Sequence, residues 1–410
     1  MPTPSLLIVP YRSKTGKLYS QIPTSGAGDF NVTRATIATR FGSDGLIQSV
    51  ASGIPRLDYY TSGGVTGCPA LLVEPAATNL ALQSENFGTT WSPQNLLAFG
   101  SGSVLNTTAT IDPYGTNVAD LIVANTTSGV QHRIDQTTAS ASGSYTFSAF
   151  LKPAGYNFGR LRIGTIGAIF NLSNGTIAST EAGITSSIQN YGNGWYRCIV
   201  SKAASSASEI IRINMQPDAV TADFAGDGTS GIYVFGAQYE TGSIATSYIP
   251  TTTGSITRNA DVVSVSGAVS GSIGQTEGTI YAEVDVRNFF PSNARIIALS
   301  DGTGANSISL QLISNAIRVT VNLSSSGQAD IIATMSAGVN KIALGYKQND
   351  MILYLNGTSV GTDTTCNIPA TNKVDLGNIN GGNQLNDRIR AAALYNTRLT
   401  NAQLAALTTP

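Results

Sequence analysis

The segment Glu283-Val-Asp285-Val-Arg287 carries side chains that could break a bond, at a spacing that could use them. Alternate residues of an extended chain share a face, so Glu283 and Asp285 would stand side by side, as the paired carboxylates of glycoside hydrolysis require. The third position on that face is Arg287, and a guanidinium there holds its neighbours ionised rather than supplying a proton. No further carboxylate is signalled to complete the pair, so the preferred reading is a solvated or ion-paired strand face and no enzyme. His132 is the sole histidine. It cannot build a histidine metal site, no serine lies in a nucleophile-elbow context, and a surface or strand-edge position in residues 130–134 is expected.

Binding chemistry has better candidates. In a strand over residues 195–200, Trp195 faces opposite to Tyr196, Cys198 and Val200. If the latter face the core, the indole is free to stack on the C–H face of a sugar, and Tyr191, Tyr156 and Phe158 in neighbouring loops would extend the platform. Ile199 shares the face of Trp195, so burial in a second sheet's core is the competing reading. Asp218, Asp223, Asp227 and Asp301 lie in Gly-rich loops. Carboxylates of that kind suit a hard cation, which leaves structural calcium open as a cofactor, although no EF-hand spacing occurs and such aspartates commonly form turns. Cys68, Cys198 and Cys366 are three, far apart, and imply neither a disulfide framework nor a zinc site.

Strands must position these residues. Over 279–286, Ile280, Ala282, Val284 and Val286 point one way while Tyr281, Glu283 and Asp285 point the other, the period of a half-buried antiparallel strand. Ile317, Val319, Val321 and Leu323 repeat it. The apolar run Met351–Leu355 meets Asn356-Gly357, whose residues tolerate the positive φ angles of a type I′ turn, so a hairpin is predicted. At the end of the chain Thr400 and Gln403 have capping-box spacing between Leu399 and Leu404, which predicts a short helix. Runs at 145–151, 161–170, 195–200, 210–215 and 232–239, separated by turn residues, predict a further sandwich or jelly roll.

Length and composition bound the rest. A chain of 410 residues exceeds one ordinary core. Only 11% of residues are charged, with 23 basic against 24 acidic. Such a surface offers no basic stripe for nucleic acid and no polybasic membrane patch. The apolar run at residues 6–9 is shorter than a signal-peptide core or a membrane span, so synthesis in a cytosol and release by lysis are expected. Prolines crowd the stretch before Leu80 without sustained periodicity, which reads as an extended arm. That arm either packs over the following domains or docks on another subunit. The expected architecture is all-β: an extended N-terminal arm (1–84) for anchoring or assembly, two antiparallel β-sandwich (jelly-roll) domains (85–265 and 266–410), and a short C-terminal helix. No heptads occur, so a coiled-coil shaft is excluded.

Several phrases carry a resemblance. Ser20-Gln-Ile-Pro-Thr-Ser-Gly-Ala-Gly-Asp-Phe30, Thr33-Arg-Ala-Thr36, Gly53-Ile-Pro-Arg-Leu-Asp-Tyr59 and Cys68-Pro-Ala-Leu-Leu-Val-Glu-Pro-Ala-Ala-Thr-Asn-Leu80 resemble the N-terminal region of tailed-bacteriophage virion proteins. Ser84-Glu-Asn-Phe with Trp91, Asn193-Gly-Trp-Tyr-Arg197 and the passage from Gly236 to Pro250 are similar to the carbohydrate-binding-module-like jelly roll of those proteins. The stretch from Ala393 to Leu404 resembles a laminin-G-like, concanavalin-A-type domain. The resemblance implies a head or tail fibre or another appendage of a virion, often a homotrimer. It would be joined to other virion proteins through its N-terminal region and present lectin-like domains to host-surface or environmental glycans. A purely architectural part is the alternative. A polysaccharide depolymerase ranks last, because concanavalin-A-type hydrolases carry a carboxylate where this chain has Arg287.

Overall fold

The computed structural model describes residues 2–60, 67–205, 207–287, 289 and 293–410. Side-chain alternation builds two sandwiches. In the C-terminal one, Ile280, Ala282, Val284 and Val286 of strand Glu277–Val286 are all fully buried. This strand pairs antiparallel with Gly338–Lys347 on one side and Asp387–Tyr395 on the other, and Met351–Leu355 and Thr358–Asp363 extend the sheet. The second sheet runs through the meander Ala294–Ser300, Ser307–Ile313, Ala316–Leu323 and Ser326–Thr334. Its inward residues Leu299, Leu310, Val319 and Ile331 share one core with the first. At the predicted hairpin Asn356 and Gly357 have φ of 48° and 85°, the left-handed values the turn needs. The helix Asn401–Thr408 carries the full capping box, and Leu404 is buried beside Leu399 against the outer face of the first sheet.

The N-terminal region (1–84) consists of short extended pieces, and what they lie on is this C-terminal sandwich. Leu6–Ile8 pairs with Asp387–Tyr395, as does Ala70–Val73 further along the same strand. Phe30–Thr33 pairs with Val262–Ser266, which pairs in turn with Lys373–Leu376. Leu6, Ile8, Leu18, Phe30, Val32, Leu71 and Val73 are buried in the common core. Of the two dispositions expected for the arm, these residues take the one in which it packs on its own chain.

The other sandwich is inserted between Ala70–Val73 and Val262–Ser266. One sheet orders Ser92–Gln94, His132–Ala139, Ser208–Gln216, Phe158–Ile163, Ile166–Asn171 and Thr176–Thr180; the other orders Asp120–Val123, Gly231–Thr241, Gly143–Ala154, Tyr196–Ser205 and Ile184–Asn190. Ile134, Phe147, Leu161, Cys198, Val200, Ile213 and Val234 fill the space between them. The run at 161–170, read as continuous, is two strands of a tight hairpin that turns at Gly164 (φ 65°). Gly167 there faces Leu161 so closely that a Cβ would sit 2.0 Å from its carbonyl oxygen.

The chain leaves and re-enters the C-terminal sandwich through a neck, Ala77–Asn79 paired with Ile256–Arg258. Beside it lies a buried ionic network. Arg56 reaches Glu74 at 2.6 Å, and Asp261 more closely still; Arg34 reaches Asp261 at 2.8 Å and Arg258 reaches Glu74 at 3.3 Å. No helix among the described residues is long and apolar enough to cross a membrane.

Candidate functional site

The residues singled out for catalysis are engaged with one another. Arg287 donates to Asp285 through Nε at 3.0 Å and a terminal nitrogen at 2.6 Å, and Arg390 pairs with Glu283 at 2.9 Å. Each carboxylate of the Glu-x-Asp pair therefore has its own arginine, the ion-paired strand face read from the sequence. His132 departs from its expected surface or edge position. It is fully buried, with Nδ1 2.5 Å from the carbonyl oxygen of Asn95, Nε2 3.2 Å from that of Phe224, and its ring against Phe224. Both nitrogens are taken by backbone, so the imidazole fastens two loops to the strand end.

Trp195 is 1% exposed and packs with Phe150, Phe235 and Tyr248, its Nε1 donating to the carbonyl oxygen of Ile111 at 2.7 Å. Its surroundings are those of the packing alternative, and the ring has no free face for a sugar. The strand begins one residue later, at Tyr196, which leaves the indole to fill the outer side of the sheet under the loops around Ile47 and Tyr114. Tyr191 is half-buried and meets Phe41, Tyr60 and Phe150 edge-on or tilted. It lines a cavity of about 40 Å³ with Arg40, Asp58, Glu74 and Arg388 at the junction of the sandwiches, room for a few waters. Tyr156 packs on Phe224, away from that cluster. The four aromatic residues do not form one platform.

The aspartates also stay apart. Asp218 accepts from the backbone N–H groups of Val220 and Thr221, Asp227 from those of Thr229 and Ser230, and Asp301 from that of Thr303. These are Asx turns; the Ser230 hydroxyl with backbone N–H groups holds the Asp227 carboxyl, the Thr303 hydroxyl with the Asn306 amide holds that of Asp301, and the backbone N–H groups of Thr221 and Val220 hold that of Asp218, each below the usual range. Asp223 lies at the rim of a groove described below. Among the described residues no three metal-ligating side chains converge. The three cysteines are free; burial raises the thiol pKa of Cys198, which packs in the sandwich core.

The site that sequence reasoning passed over is the outer face of the six-stranded sheet. Ile134, Leu161, Ile163, Ile211, Ile213 and Met215 of its strands point into the core, so by alternation Arg133, Arg160, Arg162, Arg212, Asn214, Gln216 and Phe158 all face outward. The pairing register sets Arg133 opposite Asn214, Asn214 opposite Arg160, and Arg212 opposite Arg162. Four guanidinium groups thus share one face with two carboxylates, Asp135 and Glu181. Asp135 holds Arg133 at 3.0 Å and Arg212 at 3.6 Å, while Arg160 pairs with Glu181.

Arg162 has no carboxylate at ion-pair distance among the described residues. It donates to the Thr165 carbonyl at 2.6 Å and to Gln131 Oε1 at 3.1 Å. Arg133 and Asn214 donate to that same Gln131 oxygen. Burial and the neighbouring arginines lower the Arg162 pKa to about 10. A groove of about 440 Å³ opens here, lined by Asn95, Gln131, Arg133, Arg162, Arg212 and Asp223. The signal was present in the sequence as Arg160-x-Arg162 and Arg212-x-Asn214, basic and amide side chains at period two on predicted strands.

No family model matches the sequence, and no curated protein matches it. Solved structures similar to parts of the chain include the CBM40 module of the Ruminococcus gnavus IT-sialidase (16% identity, 34% of this chain and 87% of that one, TM-score 0.30). Domain 4 of AbnA, an extracellular GH43 arabinanase of Geobacillus stearothermophilus solved with arabinotriose, is similar over 40% of this chain and 82% of its own (13% identity, TM-score 0.31). A putative carbohydrate binding protein from Bacteroides ovatus is similar over 69% and 80% respectively (12% identity, TM-score 0.28).

Proposed function

We propose that this chain is a non-catalytic component of a tailed-phage particle, in a head or tail fibre or another appendage, whose inserted sandwich holds host-surface or environmental glycans. The observation that carries the binding part is the outer face of the six-stranded sheet. Long hydrogen-bonding side chains line an open groove there, and the half-buried ring of Phe158 lies on the same sheet face, on a strand scaffold. Planar donors and an aromatic ring on one face are what a sugar's hydroxyls and C–H face require. The Glu283–Asp285 pair is occupied by arginines, which supports binding over hydrolysis.

The virion part rests on the resemblance of the sequence motifs. The strands Leu6–Ile8, Phe30–Thr33 and Ala70–Val73 of the N-terminal region are paired within the chain, and its exposed side chains are available for anchoring. Val9 and Tyr11, 38% and 52% exposed, are apolar groups it offers. Several copies on a particle, as in a homotrimer, multiply a weak single-site affinity through effective concentration.

The test is a glycan array probed with the full chain, together with antibody labelling of the particle. Reproducible binding that falls on Phe158→Ala, and label on purified particles, are the expected results. Silence across neutral and acidic bacterial polysaccharides would leave an architectural part, and release of reducing ends would overturn the non-catalytic reading.

A further inference from the structure

We propose that the groove on the outer face of the six-stranded sheet selects acidic polysaccharides, with Arg133, Arg162 and Arg212, which line it, receiving the anionic groups. This deepens the glycan-binding reading above and rests on it.

The first argument is charge. In a chain with 23 basic residues against 24 acidic, four arginines meet on one sheet face with Asp135 and Glu181 between them and Asp223 at the rim of the groove. Arg162 makes do with a carbonyl and an amide oxygen. Four guanidinium groups against three carboxylates leave an excess of positive charge, centred on Arg162, so a bound anion is worth more there than at a balanced surface. Guanidinium groups offer paired N–H donors that match the two oxygens of a carboxylate.

The second argument is unmet hydrogen bonding, which is independent of the charge count. Asn214 and Gln216 are 3% and 1% exposed although they point to the outer face; Asn214 donates to Gln131 Oε1 and Gln216 to the Thr221 carbonyl oxygen. Asn214 Oδ1 and Gln216 Oε1 have no donor, and Arg160 Nε and Arg162 Nε have no acceptor. Exchanging the oxygen and nitrogen of either amide still leaves one polar atom without a partner, since each side chain makes its hydrogen bonds through one atom. Buried polar atoms gain when a partner reaches them; of these four, Arg162 Nε belongs to the groove's own lining and Asn214 adjoins it through Gln131. The set holds both acceptors and donors. A bare phosphate or a metal ion satisfies only one kind; an acidic sugar, with hydroxyls and a carboxylate or sulfate on one ring, satisfies both.

Spacing agrees with a chain ligand. Arg133 and Arg160 stand two strands apart in one row, about 10 Å, and Arg212 and Arg162 are adjacent in the next row, about 5 Å. Anionic groups repeating along an extended polysaccharide can therefore meet more than one guanidinium.

The experiment titrates the full chain by calorimetry with polygalacturonate oligomers, with the same oligomers methyl-esterified, with dextran sulfate, and with single-stranded DNA. The carboxylate polymer should bind, its neutral ester at least about tenfold more weakly, as expected for loss of charge-assisted bonds. Binding should also weaken as salt is raised from about 0.05 to 0.5 M. Arg162→Gln and Arg133→Gln should each lower affinity about tenfold while Arg162→Lys, which keeps the charge without the fork, lies between. Unchanged melting of these variants separates a binding defect from unfolding. Dextran sulfate binding as well as the uronate makes negative charge the shared determinant and supports the proposal. Equal affinity for acid and ester, arginine variants that bind as the parent does, or DNA bound as tightly as the uronate would each overturn it. Binding confined to neutral glycans removes this inference and leaves the glycan reading standing; no glycan bound at all removes both.

Discussion

Replacing Glu74 by Gln tests whether the buried ionic network beside the neck holds the two sandwiches together. Glu74 is 4% exposed and sits where the chain leaves the C-terminal sandwich. It accepts from Arg56 at 2.6 Å and from the N–H and hydroxyl of Ser247 at 2.7 Å each, and Arg258 lies at 3.3 Å. Gln keeps the shape but places an amide N–H₂ against guanidinium donors, and leaves three buried arginines facing Asp261 alone. Breaking a buried ion pair from one side costs about 3–5 kcal/mol. For domains of this size that lowers Tm by about 6–20 °C in calorimetry.

The exposed pair Arg318–Asp330 is the control: Asp330→Asn should cost less than about 1 kcal/mol. The Glu74 pKa lies well below the carboxylate norm, because the nearby arginines and hydrogen bonds outweigh desolvation. A depressed folded pKa gives stability that is present above about pH 4.3 and lost as pH falls through the folded value, so the gap between parent and variant should close in acid. A variant melting within about 3 °C of the parent at pH 7, or a gap that widens in acid, would refute the reasoning.

Asp120 behaves in the opposite sense. Burial pushes its carboxyl up to about 6 although Phe87 and Asn106 each donate a backbone N–H at 2.8 Å. The stability it confers is complete below about pH 4 and is lost as pH rises through about 6, and Asp120→Asn should flatten that part of the stability curve in urea titrations. Gly377 has φ 68° and its Cβ position lies 2.7 Å from the side chain of Val73, so Gly377→Ala should cost about 2–4 kcal/mol from strain and overpacking together, read as a lower denaturation midpoint. Deleting residues 1–84 strips Leu6, Ile8, Leu18, Phe30, Val32, Leu71 and Val73 from the C-terminal core. At about 1.5–3 kcal/mol for each large side chain this exceeds ordinary net stability, so the C-terminal sandwich should lose its cooperative transition and bind a hydrophobic dye.

What could be read from the sequence follows from how local its cause is. The strand through Ile280 and Val286, the Asn356-Gly357 turn and the Thr400–Gln403 capping box each depend on residues within about ten positions of one another, and each stands as read. Trp195 shows the limit of the same logic. Alternation placed it correctly opposite Cys198, but whether that side was solvent or a second core was decided by Ile47, Tyr114 and Tyr248, from segments that periodicity cannot bring together. The N-terminal region was opaque for a related reason. Strands as short as Leu6–Ile8 and Phe30–Thr33 cannot show a period, and their partners, Asp387–Tyr395 and Val262–Ser266, lie far down the chain.

The arginine face was legible and went unread. Arg160-x-Arg162 and Arg212-x-Asn214 sit at period two, on or beside the runs 161–170 and 210–215, so a common direction follows from alternation, opposite to Ile211 and Ile213 in the core. What alternation could not supply was the register that sets Arg212 against Arg162 and Asn214 between Arg133 and Arg160. A charge pattern along one strand is compatible with a solvated face; only when neighbouring strands repeat it, and when buried amide and guanidinium atoms beneath it stay unpaired, does it differ physically from solubility. The distinction is energetic. A solvated arginine gains nothing in particular from a ligand, whereas one crowded by three others and short of an acceptor releases repulsion when an anion arrives, which is why the affinity difference between Arg162→Gln and Arg162→Lys separates charge from geometry at this site.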